Sequence, residues 1–154
     1  MKSYRSILAL LLAIVTTFLV SCGSPKAATP TYTPEKLAKI EQLSSSVSAL
    51  RDKMPFLAEK IQNKNWTDVG TYIHGPLGEL RQNISYLTRE LLPADQKAAN
   101  AAAKELFSSL QNIDAAATKA KSDVAVESYR EALKDFDAFF SSVPKPKNTG
   151  VSGS

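Results

Sequence analysis

SDVAVESYREALKDFDAFFSSV, residues Ser122 to Val143, carries its apolar side chains Val126, Tyr129, Leu133, Phe136, Phe140 and Val143 at spacings of 3, 4, 3, 4 and 3. That alternation lines one face of a helix of about 3.6 residues per turn, whereas a strand gathers every second residue. Ser122-Asp123 opens the stretch and Pro144, which cannot continue a helix, ends it.

Three earlier stretches repeat the pattern. Leu37, Ile40, Leu43, Val47, Leu50, Met54, Leu57 and Ile61 advance by threes and fours. Thr33-Pro34-Glu35 before them supplies a capping hydroxyl, a proline where no amide hydrogen bond is lost, and an early acid. Trp66, Val69, Ile73, Leu77, Leu80, Ile84, Leu87 and Leu91 form the second stripe, stopped by Pro93. The third opens near Ala94-Asp95 and presents Ala99, Ala103, Leu106, Leu110, Ile113 and Ala117, small enough to let a neighbouring helix approach closely.

Connections of only a few residues force successive helices to turn back, so the expected fold is all-α, an up-down-up-down four-helix bundle over residues 34–143. A coiled-coil oligomer is the competing arrangement, and the short, proline-marked joints favour the intramolecular one. Pro55 and Pro76 fall inside helical stretches, where each removes a hydrogen bond and crowds the carbonyl four residues back, to Arg51 and Tyr72. With a turn near Lys64-Asn65, Pro55 lies level with His74-Gly75-Pro76, so kinks near Pro55 and Pro76 are expected at one height, about 15 Å from that turn. Gly70, Gly75 and Gly78 lower the steric cost of the distortion. Such a bend is either a tolerated irregularity or a docking surface.

The start of the chain reads as an address. Lys2 and Arg5 precede the uncharged run Ile7 to Val20, too short for a comfortable membrane span. At its end Leu19-Val20-Ser21-Cys22 resembles the lipobox of bacterial lipoproteins, which makes residues 1–21 a signal peptide and Cys22 a lipid-bearing first residue that tethers the protein to a membrane. An uncleaved anchor helix or a cut elsewhere are the alternatives. Cys22 is the only cysteine of 154 residues, which excludes an internal disulfide, and acylation accounts for the leftover thiol. Residues 22–33 form a Pro, Thr and Ser-rich linker with a reach of roughly 30 Å, and residues 144–154 a disordered tail.

Composition narrows the function. With Lys2 and Arg5 in the leader, 17 of the 19 basic residues remain against 15 acidic ones, a near balance that argues against nucleic acid as a partner. One histidine, no phosphate loop, no HExxH and no CxxC leave no catalytic constellation, no resident metal or other cofactor and no small-molecule substrate to expect. His74 is a metal ligand, a pH-sensitive contact or a polar residue beside a kink. Met54 and His74 fall at nearly one height, the pairing that holds haem in some helical cytochromes, although Met54 also fits the core stripe. Lys39, Lys53 and Lys60 flank the first apolar seam and, with Trp66 and His74, are the candidate partner-docking residues. Glu127, Glu131 and Asp135 recur every four residues on the last helix, diluted by Arg130 and Lys134, and read as a solvated face rather than a calcium or protein site.

Asn65-Trp66-Thr67-Asp68-Val69, Tyr72-Ile73-His74-Gly75-Pro76-Leu77 and Leu80-Arg81 resemble the most recognisable stretch of the PsbQ family of photosystem II extrinsic proteins. Leu91-Leu92-Pro93, Phe107 with Leu110, Ile113-Asp114, and Tyr129 through Asp135-Phe136-Asp137-Ala138-Phe139 extend the likeness over residues 34–143. The lipobox is similar to that of the cyanobacterial branch. The resemblance implies a non-catalytic, cofactor-free lipoprotein on the lumenal side of the thylakoid membrane. There it would dock on lumenal subunits of photosystem II, stabilise the oxygen-evolving complex and support water oxidation at limiting calcium or chloride. Gly23 to Thr33 has no clear counterpart of the long N-terminal region that plant members use for docking, so contacts of that region do not carry over. A periplasmic lipoprotein chaperone or envelope adaptor is the alternative.

Overall fold

Six helical segments make up residues 30–145, the part of the chain that the computed structural model describes, and among these residues there is no strand. They are α1 (Pro34–Arg51), α2 (Met54–Gln62), α3 (Trp66–His74), α4 (Leu80–Arg89), α5 (Pro93–Thr118) and α6 (Ser122–Ser141). The all-α class read from the apolar periodicity is therefore what is found. The leader, Cys22 and most of the linker and tail lie outside the described residues.

Local chemistry explains the start of α1 and the breaks at the two prolines. Thr33 is extended (φ −77°, ψ 158°) and its Oγ1 accepts from the Lys36 amide at 3.3 Å, with Pro34 in the first turn. The Glu35 carboxyl is held below the usual carboxylate range by hydrogen bonds, first to its own amide and then to Thr33. At the other end of α1, Pro55 has no amide hydrogen for the helix ladder. The chain tightens there, Lys53 N donating to Leu50 O and Phe56 N to Lys53 O, both at 3.1 Å. Asp52 and Lys53 keep right-handed helical dihedrals. The buried stripe consequently runs on through Leu50, Met54, Leu57 and Ile61.

Pro76 causes a wider break, Gly75 to Glu79, between α3 and α4. The Tyr72 carbonyl that Pro76 leaves without a donor is taken by Leu77 N at 3.2 Å. Backbone then passes so close to backbone that a Cβ on Gly78 would lie 2.5 Å from His74 O, and one on Gly75 2.9 Å from Thr71 O. Glycine is needed at both positions. Gly70 has only an ordinary 3.4 Å contact and carries no such constraint.

Two turns close without glycine. After α2 and after α5, Lys64 (φ 54°) and Ala120 (φ 50°) adopt left-handed backbone, with Asn65 N on Lys60 O and Lys121 N on Ala116 O. The α4–α5 joint is fastened by Tyr32, whose hydroxyl donates to Asp95 Oδ2 at 2.7 Å and accepts from Leu92 N at 2.9 Å. Burial, followed by the bond to Asp95, raises the Tyr32 pKa. Composition assigned Tyr32 to the linker; its ring packs against the core instead.

The most extensive packing joins α5 to α6; α3 and α4 also lie on α5, α1 on α4, and α2 on α3 and α6. All six inner residues expected on α5 are buried. On α6 the expectation is corrected by about one residue. Phe136 and Val143 are buried as read, but Ala125, Ala132 and Phe139 take the other inner positions, while Val126, Tyr129, Leu133 and Phe140 flank the core half-buried. Alanines on both helices permit their close approach, and the line of closest contact must be occupied by small side chains.

Candidate docking surface

The Gly75–Glu79 break organises the charged and aromatic residues around it. Tyr72 on α3 donates its hydroxyl to the Lys53 carbonyl at 3.2 Å, and Lys53 Nζ reaches back to Pro76 O at 3.5 Å. Lys60 Nζ stands 5.7 Å from the centre of the Tyr72 ring and 3.5 Å from Asp68 Oδ2. Lys53 is thus held by a carbonyl of the proline break, and Lys60 by Tyr72 and Asp68 of α3. Between them on the outer side of α2 stands Phe56, 58 % exposed, at helical spacings of three and four. Phe56 falls off the Met54, Leu57, Ile61 stripe, a signal of exposure already present in the sequence.

His74 and Trp66 meet a different partner. His74 Nε2 lies 3.0 Å from Asp114 Oδ2, joining the end of α3 to α5, and the imidazole is largely exposed. Trp66, half-buried at the start of α3, lines a shallow cleft with Gly70, Asp114 and Ala117. Lys39 stands apart. It is exposed on α1, fourteen residues and about 20 Å from Lys53 along the chain of helices. The haem alternative loses its geometry: Met54 is fully buried in the core while His74 faces outward to Asp114. Among the described residues no three His, Cys, Asp or Glu side chains converge as metal ligands, and no helix is long and apolar enough to cross a membrane.

The acidic residues of α6 are absorbed locally. Glu127 pairs with Arg130 at 3.0 Å and Glu131 with Lys134 at 2.7 Å, whose hydrogen bond and charge raise the Lys134 pKa. Asp135 accepts from buried Ser109 at 2.6 Å. Across the bundle Arg51 ties α1 to α6 through Asp137 at 2.6 Å. Beside it burial raises the Tyr129 pKa against the opposing effect of the Arg51 charge.

What the α2–α3 hairpin offers is an exposed aromatic between two positioned cations. Comparison with known proteins supplies the context. Residues 2–144 match the family model described as PsbQ, oxygen evolving enhancer protein 3. The chain is similar to CyanoQ of Synechocystis sp., 45% identical over 147 residues that cover 94% of this chain and 99% of that protein.

Proposed function

The chain belongs to the PsbQ family, and from that premise we propose that it is an extrinsic subunit of photosystem II on the lumenal side of the thylakoid membrane. It docks on lumenal subunits there, stabilises the oxygen-evolving complex and supports water oxidation without itself being a catalyst. The observation that carries this reading is a likeness to the family that runs along nearly the whole chain rather than through one motif.

The physical features fit such a role. We read the six segments as four rods, α1 with α2, α3 with α4, α5, and α6, running up-down-up-down; the α1–α2 break keeps helical dihedrals and the remaining joints are short. Residues 1–21 are the signal peptide, residues 22–33 the linker, residues 34–143 the bundle and residues 144–154 the tail. Acylation at Cys22 confines the bundle to the membrane surface, which raises its effective concentration near a partner there. Phe56 supplies an apolar anchor, Lys53 and Lys60 orient it, and Trp66 and His74 border the same hairpin.

Oxygen evolution tests the reading. Photosystem II membranes stripped of this chain are expected to slow at limiting calcium or chloride and to recover when the purified protein is returned. Equal rates before and after its return refute the role.

A further inference from the structure

A groove between α4 and α5, ≈ 580 Å³ in volume, adjoins at Arg81, Phe107 and Gln111 the smaller cleft that holds His74 and Asp114. Its floor is formed by buried Ile84, Thr88 and Ala103, and Arg81 and Lys104 stand on its two helices. None of its lining residues is acidic. Neither cation has an ion-pair partner among the described residues, a state they share with Lys39, Lys53 and Lys97; what sets them apart is that both stand on one groove. The Arg81 guanidinium carbon sits 4.1 Å from the centre of the Phe107 ring. Contact with the aromatic face holds the guanidinium in place, and its N–H groups suit a two-point grip on a carboxylate. Arg81 and Phe107 belong to the stretches whose resemblance defined the family.

We propose that this groove is a docking cleft for an acidic segment of a partner protein, with Arg81 receiving a carboxylate and Lys104 facing it from α5. The proposal deepens the docking role above and rests on it. Charge complementarity with Arg81 and Lys104 identifies the occupant, and the uncharged remainder of the lining selects among anions. Asn100 and Gln111 carry amides that pair with both the N–H and C=O groups of a peptide, and the apolar floor suits a side chain next to the acid. From Asn100 to Gln111 the α5 wall spans about 16 Å. At about 3.3 Å per residue, four or five residues of extended chain fill it.

The test measures rebinding of the mature chain to stripped photosystem II membranes. Arg81→Glu with Lys104→Glu is expected to weaken rebinding roughly tenfold while far-ultraviolet circular dichroism stays unchanged. Arg81→Gln, which keeps the stem over Phe107, gives a smaller loss and serves if the reversed pair does not fold. Rebinding of the variants at wild-type affinity overturns the cleft and leaves the docking role standing; failure of the wild type to rebind takes both down. An equal loss with Arg130→Glu and Lys134→Glu on α6 means net charge alone, and an equal loss on protein-free phosphatidylglycerol vesicles, measured with unacylated chain, means a lipid contact. Either result overturns the proposal.

Discussion

Replacing Gly78 by alanine places a Cβ 2.5 Å from His74 O, about 0.9 Å inside the 3.4 Å at which ordinary contact begins. The Cβ is fixed in place by the backbone and meets a backbone carbonyl, so no side chain can swing away, and the Gly75–Glu79 turn itself must open. The expected cost is about 2–3 kcal/mol, the upper part of the range for overpacking. Gly75→Ala meets Thr71 O at 2.9 Å and is expected to cost about 1 kcal/mol. Gly70→Ala has only the 3.4 Å contact with Asp114 Oδ1 and sits inside α3, where alanine stabilises a helix by about 0.5–1 kcal/mol relative to glycine. For a body of this size 1 kcal/mol shifts Tm by about 4 °C. Thermal unfolding followed by circular dichroism should therefore lower Tm by about 8–12 °C for Gly78→Ala and raise it by about 2–4 °C for Gly70→Ala. A Gly78→Ala protein that melts at or above the wild type refutes the argument that the proline break requires this close backbone approach.

Ala120→Gly, at φ 50°, relieves left-handed strain and should add about 1 kcal/mol in urea unfolding with the slope unchanged. Tyr32→Phe leaves Leu92 N and Asp95 without their shared partner and should cost about 1–2 kcal/mol at neutral pH. The folded-state pKa values of Tyr32 and Tyr129 are raised, so their contribution is full below the ordinary tyrosine value of 10.0 and is lost as pH climbs through the raised ones. Unfolding across alkaline pH should accordingly show a decline that Tyr32→Phe with Tyr129→Phe flattens. Phe56→Ala, on a side chain 58 % exposed, should change stability by no more than about 0.5 kcal/mol yet weaken rebinding to stripped membranes roughly tenfold. Cys22→Ser should release the chain from washed membranes and abolish incorporation of a labelled fatty acid.

Much of the architecture was legible because apolar periodicity reports directly on burial. On α5 and across the Pro55 break, large aliphatic and alanine side chains recur without competition, and every inner position read there on α5 is buried. On α6, Tyr129, Leu133 and Phe140 mark a face about one residue away from the one that Ala125 and Ala132 bury, since side-chain size is a poor guide where two helices meet through alanine. Tyr32 was hidden for a different reason: its partner Asp95 is 63 residues away, and a lone tyrosine among Pro and Thr has no periodicity. Glu127, Glu131 and Asp135 were visible as a stripe, but the turn of Asp135 toward Ser109 on α5 is a tertiary fact. The same holds for the candidate docking residues. Lys53 and Lys60 could be placed beside the seam from spacing, while their convergence on Tyr72 and Pro76, and the pairing of His74 with Asp114, depend on how the hairpin closes.

Cross-linking mass spectrometry on intact, oxygen-evolving photosystem II tests the central claim most directly, because it reads the partner and the docking face together. Links are expected from Lys53, Lys60 and Lys104 to lumenal photosystem II subunits, lost when the chain is washed off. Links confined to envelope proteins, or a lysine pattern centred on Lys134 of α6 with the α2–α3 hairpin silent, would contradict it.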